Sequence, residues 1–248
     1  MKKVIIIPAR LDSSRLPNKV LLDLKGKTIL QRVYEQCLKV KNIDDVFIAT
    51  DSLEIKESCT KFTENIILTK STHQSGTDRI GEAIENLDCD IIINVQGDEP
   101  FIDPTIIEEL LNTFQLNEVL MASAMTRIYD FKDLQNNNVV KVTVDKNNNA
   151  LFFSRSLIPF PRDFQETLQS NESLQKAKFY KHIGLYGYRK EFLQQYIQME
   201  QSYLERTEKL EQLRVLENGF KIKMIETKTN HIGIDTIDDY KEALKKIK

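Results

Sequence analysis

Val4-Ile5-Ile6-Ile7-Pro8-Ala9-Arg10 is the stretch that decides the fold. Four β-branched residues stand in a row without polar alternation, the pattern of a strand buried on both faces, as in a parallel sheet. Pro8 ends the run, and a polar loop follows through residue 19. The loop has no GxGxxG, which argues against a dinucleotide oxidoreductase, and no GxxxxGK[ST], so it is not a Walker loop.

Outward from that strand, residues 28–40 carry Ile29, Leu30, Val33, Cys37 and Leu38 at helical spacing. Strand-like runs at 46–49, 65–69 and 90–95 alternate with helical segments at 53–62, 78–87 and 104–116. Pro104 stands near the first turn of the last helix, where a missing N–H costs little. This alternation predicts an α/β fold on a mainly parallel sheet. Ligands of such sheets bind beyond the carboxyl ends of the strands, so the polar clusters after the first and fourth strands belong at a site.

The pattern changes after residue 119. Strands are expected at 121–128, 139–144, 151–153 and 184–188, with a turn at 145–149. Residues 162–178 are polar and Gln-rich and read as a mobile loop or a loose helix. Helices are expected at 190–199, 208–217 and 238–247, and a strand at 221–226. With no repeats and 248 residues, the chain reads as one domain over 1–248, since single cores seldom grow past roughly 250–300 residues. A smaller sheet layer, inserted at about 120–205, is expected to carry a subunit interface.

Composition narrows the function classes. Hydrophobic residues at 41% and charged residues at 29% are an ordinary globular mix. Lys and Arg (35) nearly balance Asp and Glu (37), so no global field favours nucleic acid or an acidic membrane. An anionic ligand must therefore be held by local arginines and lysines. Cys37, Cys59 and Cys89 form no CxxC pair and read as buried free thiols in a reducing compartment, not as a zinc site or disulfide framework. The apolar run at 4–7 is too short for a signal segment, and no stretch approaches the ~18 apolar residues of a membrane span. A soluble cytoplasmic protein without nucleic-acid partner or membrane insertion is expected.

Six constellations carry candidate chemistry. The loop Pro8-Ala9-Arg10-Leu11-Asp12-Ser13-Ser14-Arg15-Leu16-Pro17-Asn18-Lys19 sets two arginines and a lysine between a strand and a helix. It reads equally as a solvated basic loop or as a phosphate cradle, in which Arg15 and Lys19 neutralise a leaving pyrophosphate; the flanking prolines favour the second. Gln96-Gly97-Asp98-Glu99-Pro100 follows the strongest strand, where a carboxylate suits Mg²⁺ and an ordinary acidic turn is the alternative. Asp235 follows Ile232-Gly233-Ile234 and, taken alone, reads first as a helix N-cap; beside Asp98 it completes a metal site. His73-Gln74-Ser75-Gly76-Thr77-Asp78-Arg79 suits a base edge or a helix cap equally. In Lys181-His182-Ile183-Gly184-Leu185-Tyr186-Gly187-Tyr188-Arg189 a histidine and alternate tyrosines suit a polyhydroxylated sugar, though a lone histidine is more often structural. In Lys209-Leu210-Glu211-Gln212-Leu213-Arg214 the leucines read as core, and Glu211 and Gln212 as helix surface or ligand.

Taken together, and with Phe153-Ser154-Arg155 and Ile234-Asp235-Thr236, these segments resemble the CMP-Kdo synthetases, the 3-deoxy-manno-octulosonate cytidylyltransferases. The resemblance runs through nearly the whole chain, with the motifs in the family's order. It implies a Rossmann-like nucleotidyltransferase fold and a homodimer. It implies transfer of CMP from CTP to the anomeric hydroxyl of 3-deoxy-D-manno-octulosonate (Kdo), giving CMP-Kdo and pyrophosphate for lipopolysaccharide biosynthesis. Carried over by position, Arg10, Arg15 and Lys19 meet the triphosphate, with Ala9 and Ser13 beside them. Ser75, Gly76, Thr77 and Arg79 surround the cytidine, and Gln96 stands near nucleotide or sugar. Asp98 and Asp235 hold magnesium. Arg15, Arg155, His182, Tyr186, Glu211 and Gln212 bind the sugar acid. One departure concerns the first loop: Asn18 stands where many members have glycine. Two rival readings remain open. One is the same chemistry on 8-amino-Kdo or another acidic sugar such as a sialic-acid relative; the other is a catalytically silent CTP-binding regulator.

Overall fold

The computed structural model describes residues 1–11, 15–73, 75–163, 171–228 and 233–247. The chain falls into two compact units: Met1–Asn112, Leu185–Ile197 and His231–Lys248 form the first, and Thr113–Gly184 with Gln198–Asn230 the second.

In the first unit, β1 (Lys3–Ala9) lies between β2 (Asp45–Thr50) and β4 (Ile91–Asn94), with β3 (Ile66–Leu68) beyond β2, and all four are parallel. Val4, Ile5, Ile6 and Ile7 are fully buried, as a strand covered on both faces requires. The register Val4↔Asp45 through Ala9↔Thr50 and Val4↔Ile92 through Ile6↔Asn94 brings the carboxyl ends of β1, β2 and β4 to one edge. The helices between them are α1 (Ile29–Cys37), α2 (Leu53–Cys59), α3 (Gly76–Ala83) and α4 (Pro104–Thr113). Three of these begin at hydroxyl caps: Thr28 accepts from the Gln31 N–H, Ser52 from Ile55 and Ser75 from Asp78. A further strand, Tyr180–Arg189 (β8), runs antiparallel to β4 at its Arg189 end, so the mainly parallel sheet expected from the sequence is present.

The second unit pairs β5 (Met121–Arg127) in parallel with β9 (Ile222–Thr227). β6 (Lys141–Val144) forms an antiparallel hairpin with β7 (Ala150–Ser154), and its other edge pairs with the Tyr180 end of β8. The expected turn is closed by Asp145, whose Oδ1 accepts from the N–H groups of Asn147 and Asn149. Asn148 supplies the left-handed residue at φ 57°. Ile128, Leu134, Leu174 and Phe179 form a small buried cluster in this unit.

Some expectations shift. The helix expected at 208–217 is two: α8 (Tyr203–Glu208) and α9 (Gln212–Glu217), after α7 (Lys190–Ile197) and the short α5 (Phe131–Gln135) and α6 (Asn171–Lys176). The break falls at Lys209, in left-handed conformation at φ 55°. α8 starts at a reciprocal cap between Ser202 and Glu205, a start signal that lies outside the expected helix at 208–217. The polar segment expected as loop or loose helix holds α6; residues 164–170 lie outside the described part. The three cysteines are free and buried, as expected. No helix among the described residues is long and apolar enough to cross a membrane.

Candidate active site

At the carboxyl edge of the first unit's sheet lies a cavity of about 270 Å³. Its floor is formed by Pro8 and Ala9 at the end of β1 and by Gln96, Gly97 and Asp98 after β4. Gly97 lets these strand ends meet: a Cβ there would stand 3.1 Å from the Pro8 carbonyl oxygen and 3.4 Å from Leu30. Gly76 plays the same part for α3, where a Cβ would stand 3.3 Å from Pro8 Cγ. The amino end of α3, with Ser75 and Gly76, thus lines the cavity, and a helix N-terminus is a setting that favours anions.

The lining also carries charges, among them Lys19, Asp98 and Asp235. Lys19 sits in a single 3₁₀ turn, Lys19–Leu21, and is 9% exposed. The turn follows Asn18 at φ 53°, ψ 26°. Glycine is the default residue for that conformation and asparagine its best substitute, which accounts for the departure at this position. Lys19 Nζ donates to Asp98 Oδ2 at 2.5 Å and to Asp235 Oδ1 at 2.8 Å. Asp98 and Asp235 are 137 positions apart, as 235 − 98 gives, and a backbone bond from Ile234 N–H to the Asp98 carbonyl (2.9 Å) ties their loops together. Arg15, exposed, reaches the second oxygen of Asp235 at 3.2 Å.

The electrostatics follow from burial and pairing. Burial pushes the Asp98 carboxyl above its ordinary range, and Lys19 only partly offsets this. For Lys19 burial works against the charge, but Asp98 and Asp235 together outweigh it and the ammonium is held above its ordinary pKa. Two carboxylates have gathered around one cation, and both are hard oxygen donors.

Asp235 is not the helix cap that its sequence context favoured. Thr236 caps α10 (Ile237–Lys246) in a reciprocal bond with Asp239, which leaves the Asp235 side chain to face Lys19. Ser75 caps α3, as one of its two readings expects, and it also lines the cavity. Arg79, 4% exposed, lines the cavity and donates to Thr69 Oγ1 (2.6 Å) while pairing with Asp51 (3.1 Å). Arg10 and Gln96 also line it, with Gln96 Nε2 donating to Asn94 Oδ1 at 3.1 Å. Thr77 is half-buried on α3 and not part of the lining, and Ser13 lies outside the described residues. His73 opens one of the quoted motifs, whereas Asp51 and Thr69, which hold Arg79, stand outside all of them. Position after a strand end is the only sequence signal that Asp51 and Thr69 carry.

Tyr186 lies on β8 in the first unit, its ring stacked on the buried Tyr188 at 6.1 Å. Arg155, His182, Glu211 and Gln212 belong to the second unit. Phe153 meets the His182 ring edge-on at 5.0 Å, and Ser123 Oγ stands 2.9 Å from His182 Nε2. Burial pushes the His182 pKa down to about 3, so the ring is neutral near pH 7. Two residues after Phe153, Arg155 Nε donates to the Glu208 carbonyl at 2.7 Å, beside the Lys209 break that leads into Glu211 and Gln212. Gln212 is 3% exposed, not helix surface, and its Nε2 has no hydrogen-bond partner among the described residues.

Comparison with known proteins identifies the family. The cytidylyltransferase family model matches residues 4–225. The 3-deoxy-manno-octulosonate cytidylyltransferase of Francisella tularensis subsp. holarctica is 47% identical over 97% of this chain and 96% of its own. That of Geotalea daltonii is 45% identical over 100% and 99%. A solved structure of CMP:2-keto-3-deoxy-manno-octonic acid synthetase complexed with CTP superposes with a TM-score of 0.91, at 38% identity, over 99% of this chain and 98% of that one. The chain therefore belongs to the cytidylyltransferases, and among them to the 3-deoxy-manno-octulosonate cytidylyltransferase family.

Proposed function

We propose that the protein transfers CMP from CTP to the anomeric hydroxyl of Kdo, releasing pyrophosphate, in the supply of CMP-Kdo for lipopolysaccharide. The observation that carries this is the convergence of Asp98 and Asp235 on Lys19, beside the Ser75–Gly76 helix end, in a protein so close to enzymes of that name.

The reaction forms a bond from the anomeric oxygen to the α-phosphorus as the bond to the bridging α,β-oxygen breaks. The hydroxyl proton leaves to solvent. Arg10, Arg15 and Lys19 bring positive charge to the side where pyrophosphate gains negative charge. Ser75, Gly76 and Arg79 border the nucleoside, with Arg79 fixed by Asp51 and Thr69.

A magnesium ion fits the donor set. Mg²⁺ prefers one or two carboxylates together with phosphate oxygens and water. Asp98 and Asp235 present such a pair already gathered around a cation. Bound between them, the ion would polarise the phosphates and lower the pKa of an attacking hydroxyl. Arg155, His182, Tyr186, Glu211 and Gln212 are the residues we assign to the sugar acid, and the unpaired Gln212 amide supports the assignment. We also read the chain as one nucleotidyltransferase domain over 1–248, acting in the cytoplasm as a homodimer through the layer at about 120–205; a monomer mass by light scattering would reject that interface.

The test is magnesium-dependent pyrophosphate release from CTP with Kdo, 8-amino-Kdo and sialic acid in parallel. Release with Kdo is expected. Release only with another acid keeps the chemistry and moves the sugar. Silence with all three, in folded protein that still binds CTP, rejects the enzyme and favours a regulator.

A further inference from the structure

Glu82 lies two turns along α3 from its capped start, and no step above uses it. Its Oε2 accepts from the backbone N–H of Lys70 at 2.9 Å and also meets His73 Nε2. One carboxylate oxygen thus holds two points of the segment that joins β3 to α3. The same segment is pinned at its start, where Thr69 N–H donates to the Thr50 carbonyl at 2.9 Å and Thr69 Oγ1 accepts from Arg79. At its other end Ser75 caps α3. His73, Ser75 and Arg79 all line the cavity. The hydrogen bond from His73 keeps the Glu82 carboxyl below its ordinary range, with burial opposing and the Lys70 N–H adding to the effect.

We propose that Glu82 is a positioning residue for the nucleotide: it clamps His73 and the Lys70 N–H onto α3, so that His73, like the helix cap Ser75, is set before CTP arrives. The clamp also selects a tautomer. An ionised carboxylate requires the proton on Nε2, which leaves Nδ1 of a neutral His73 as an acceptor. Pre-set loops strengthen binding by lowering the ordering that binding must otherwise complete, so loss of the clamp falls on affinity for CTP. Catalysis at the carboxylate pair, which Glu82 does not touch, changes little once CTP is held.

This rests on the reading of the cavity as a CTP site, and the experiment separates the two. CTP affinity is measured by calorimetry without sugar acid, followed by kcat and KM for CTP, on the wild type, Glu82→Ala, Glu82→Gln and the control Glu85→Gln, which alters an exposed glutamate on the stretch just after α3. Wild type that fails to bind CTP overturns the site itself. Given binding, Glu82→Ala is expected to raise Kd and KM for CTP by about ten-fold with kcat within about two-fold, as loss of one charge-assisted contact predicts. Glu82→Gln, which can still accept one bond, should recover part of the affinity, and Glu85→Gln should match wild type. Unchanged CTP affinity in a folded Glu82→Ala protein overturns the proposal. So does an equal fall in kcat with KM unchanged, which would mark a merely structural role.

Discussion

Each unit of the molecule buries a lysine, and the two do opposite things. Lys19, in the first unit, faces two carboxylates and is held above its ordinary pKa. Lys141, in the second, is 0% exposed, and its Nζ donates at 2.8 Å to three backbone carbonyls, of Asn136, Val139 and Arg155. Burial pulls its pKa down, and Glu208 offsets this only in part. Full charges surround the first ammonium, so another cation can take its place among them. The second ammonium is bound by dipoles that belong to the chain itself, and it fastens the Arg155 end of β7 to the segment before β6. One lysine balances charge in a site that must exchange ligands; the other is a strut.

The sharpest way to break this contrast is to remove charge from the first cluster. Asp98→Asn is expected to lower turnover by about 10³-fold or more, since it deletes a group on which charge stabilisation depends. The melting temperature should move little, because burial already disfavours the Asp98 carboxylate. Near-normal pyrophosphate release from the variant would remove Asp98 from the metal site.

The mirror experiment acts on the strut. Lys141→Met keeps the length of the chain and removes three bonds to buried carbonyls. A loss of roughly 2–4 kcal/mol in denaturant unfolding is expected, as for a buried donor whose partners are left unpaired. If the midpoint is unchanged, water replaces the ammonium and the strut reading is wrong.

The contrast also explains what the sequence could reveal. The run at Val4–Ile7 announced a doubly covered strand because burial on both faces leaves no room for polar alternation. The acidic loop after β4 stood out for the same local reason. Asp235 did not, because its neighbour Thr236 and the carboxylate Asp239 take the cap, a choice that local spacing leaves undecided. Its pairing with Lys19 depends on the Ile234–Asp98 bond between distant segments, which no window of sequence contains. Lys141 looked like any strand lysine, since its three acceptors lie on turns and strand ends before and beyond it. The break at Lys209 was hidden because a left-handed lysine carries no glycine to mark it.

His182 tests how closed the second unit is. Its folded pKa of about 3 lies below the ~6.5 of an unfolded histidine. Between those values the unfolded chain binds a proton that the folded one does not, so stability is full above pH 6.5 and is lost as pH falls. The slope should approach ~1.4 kcal/mol per pH unit, near 2 kcal/mol by about pH 5. His182→Phe should flatten this limb in urea titrations at pH 7, 6 and 5. An equally steep limb in the variant would place the acid sensitivity elsewhere.

The smallest effect is the most telling for the sugar. Gln212 buries an amide nitrogen with no partner among the described residues, which costs roughly 1 kcal/mol or more if nothing ever meets it. Gln212→Met replaces it with an apolar chain of similar length, so the free protein should become more stable by about 1 kcal/mol, or at least no less stable. KM for Kdo should rise at the same time, with CTP affinity unaltered. Opposite signs for stability and sugar binding are what a group held unsatisfied for a ligand predicts. If Gln212→Met instead destabilises the free protein and leaves the Kdo KM unchanged, the amide is structural, and Gln212 then belongs with Lys141 among the residues that only hold the second unit together.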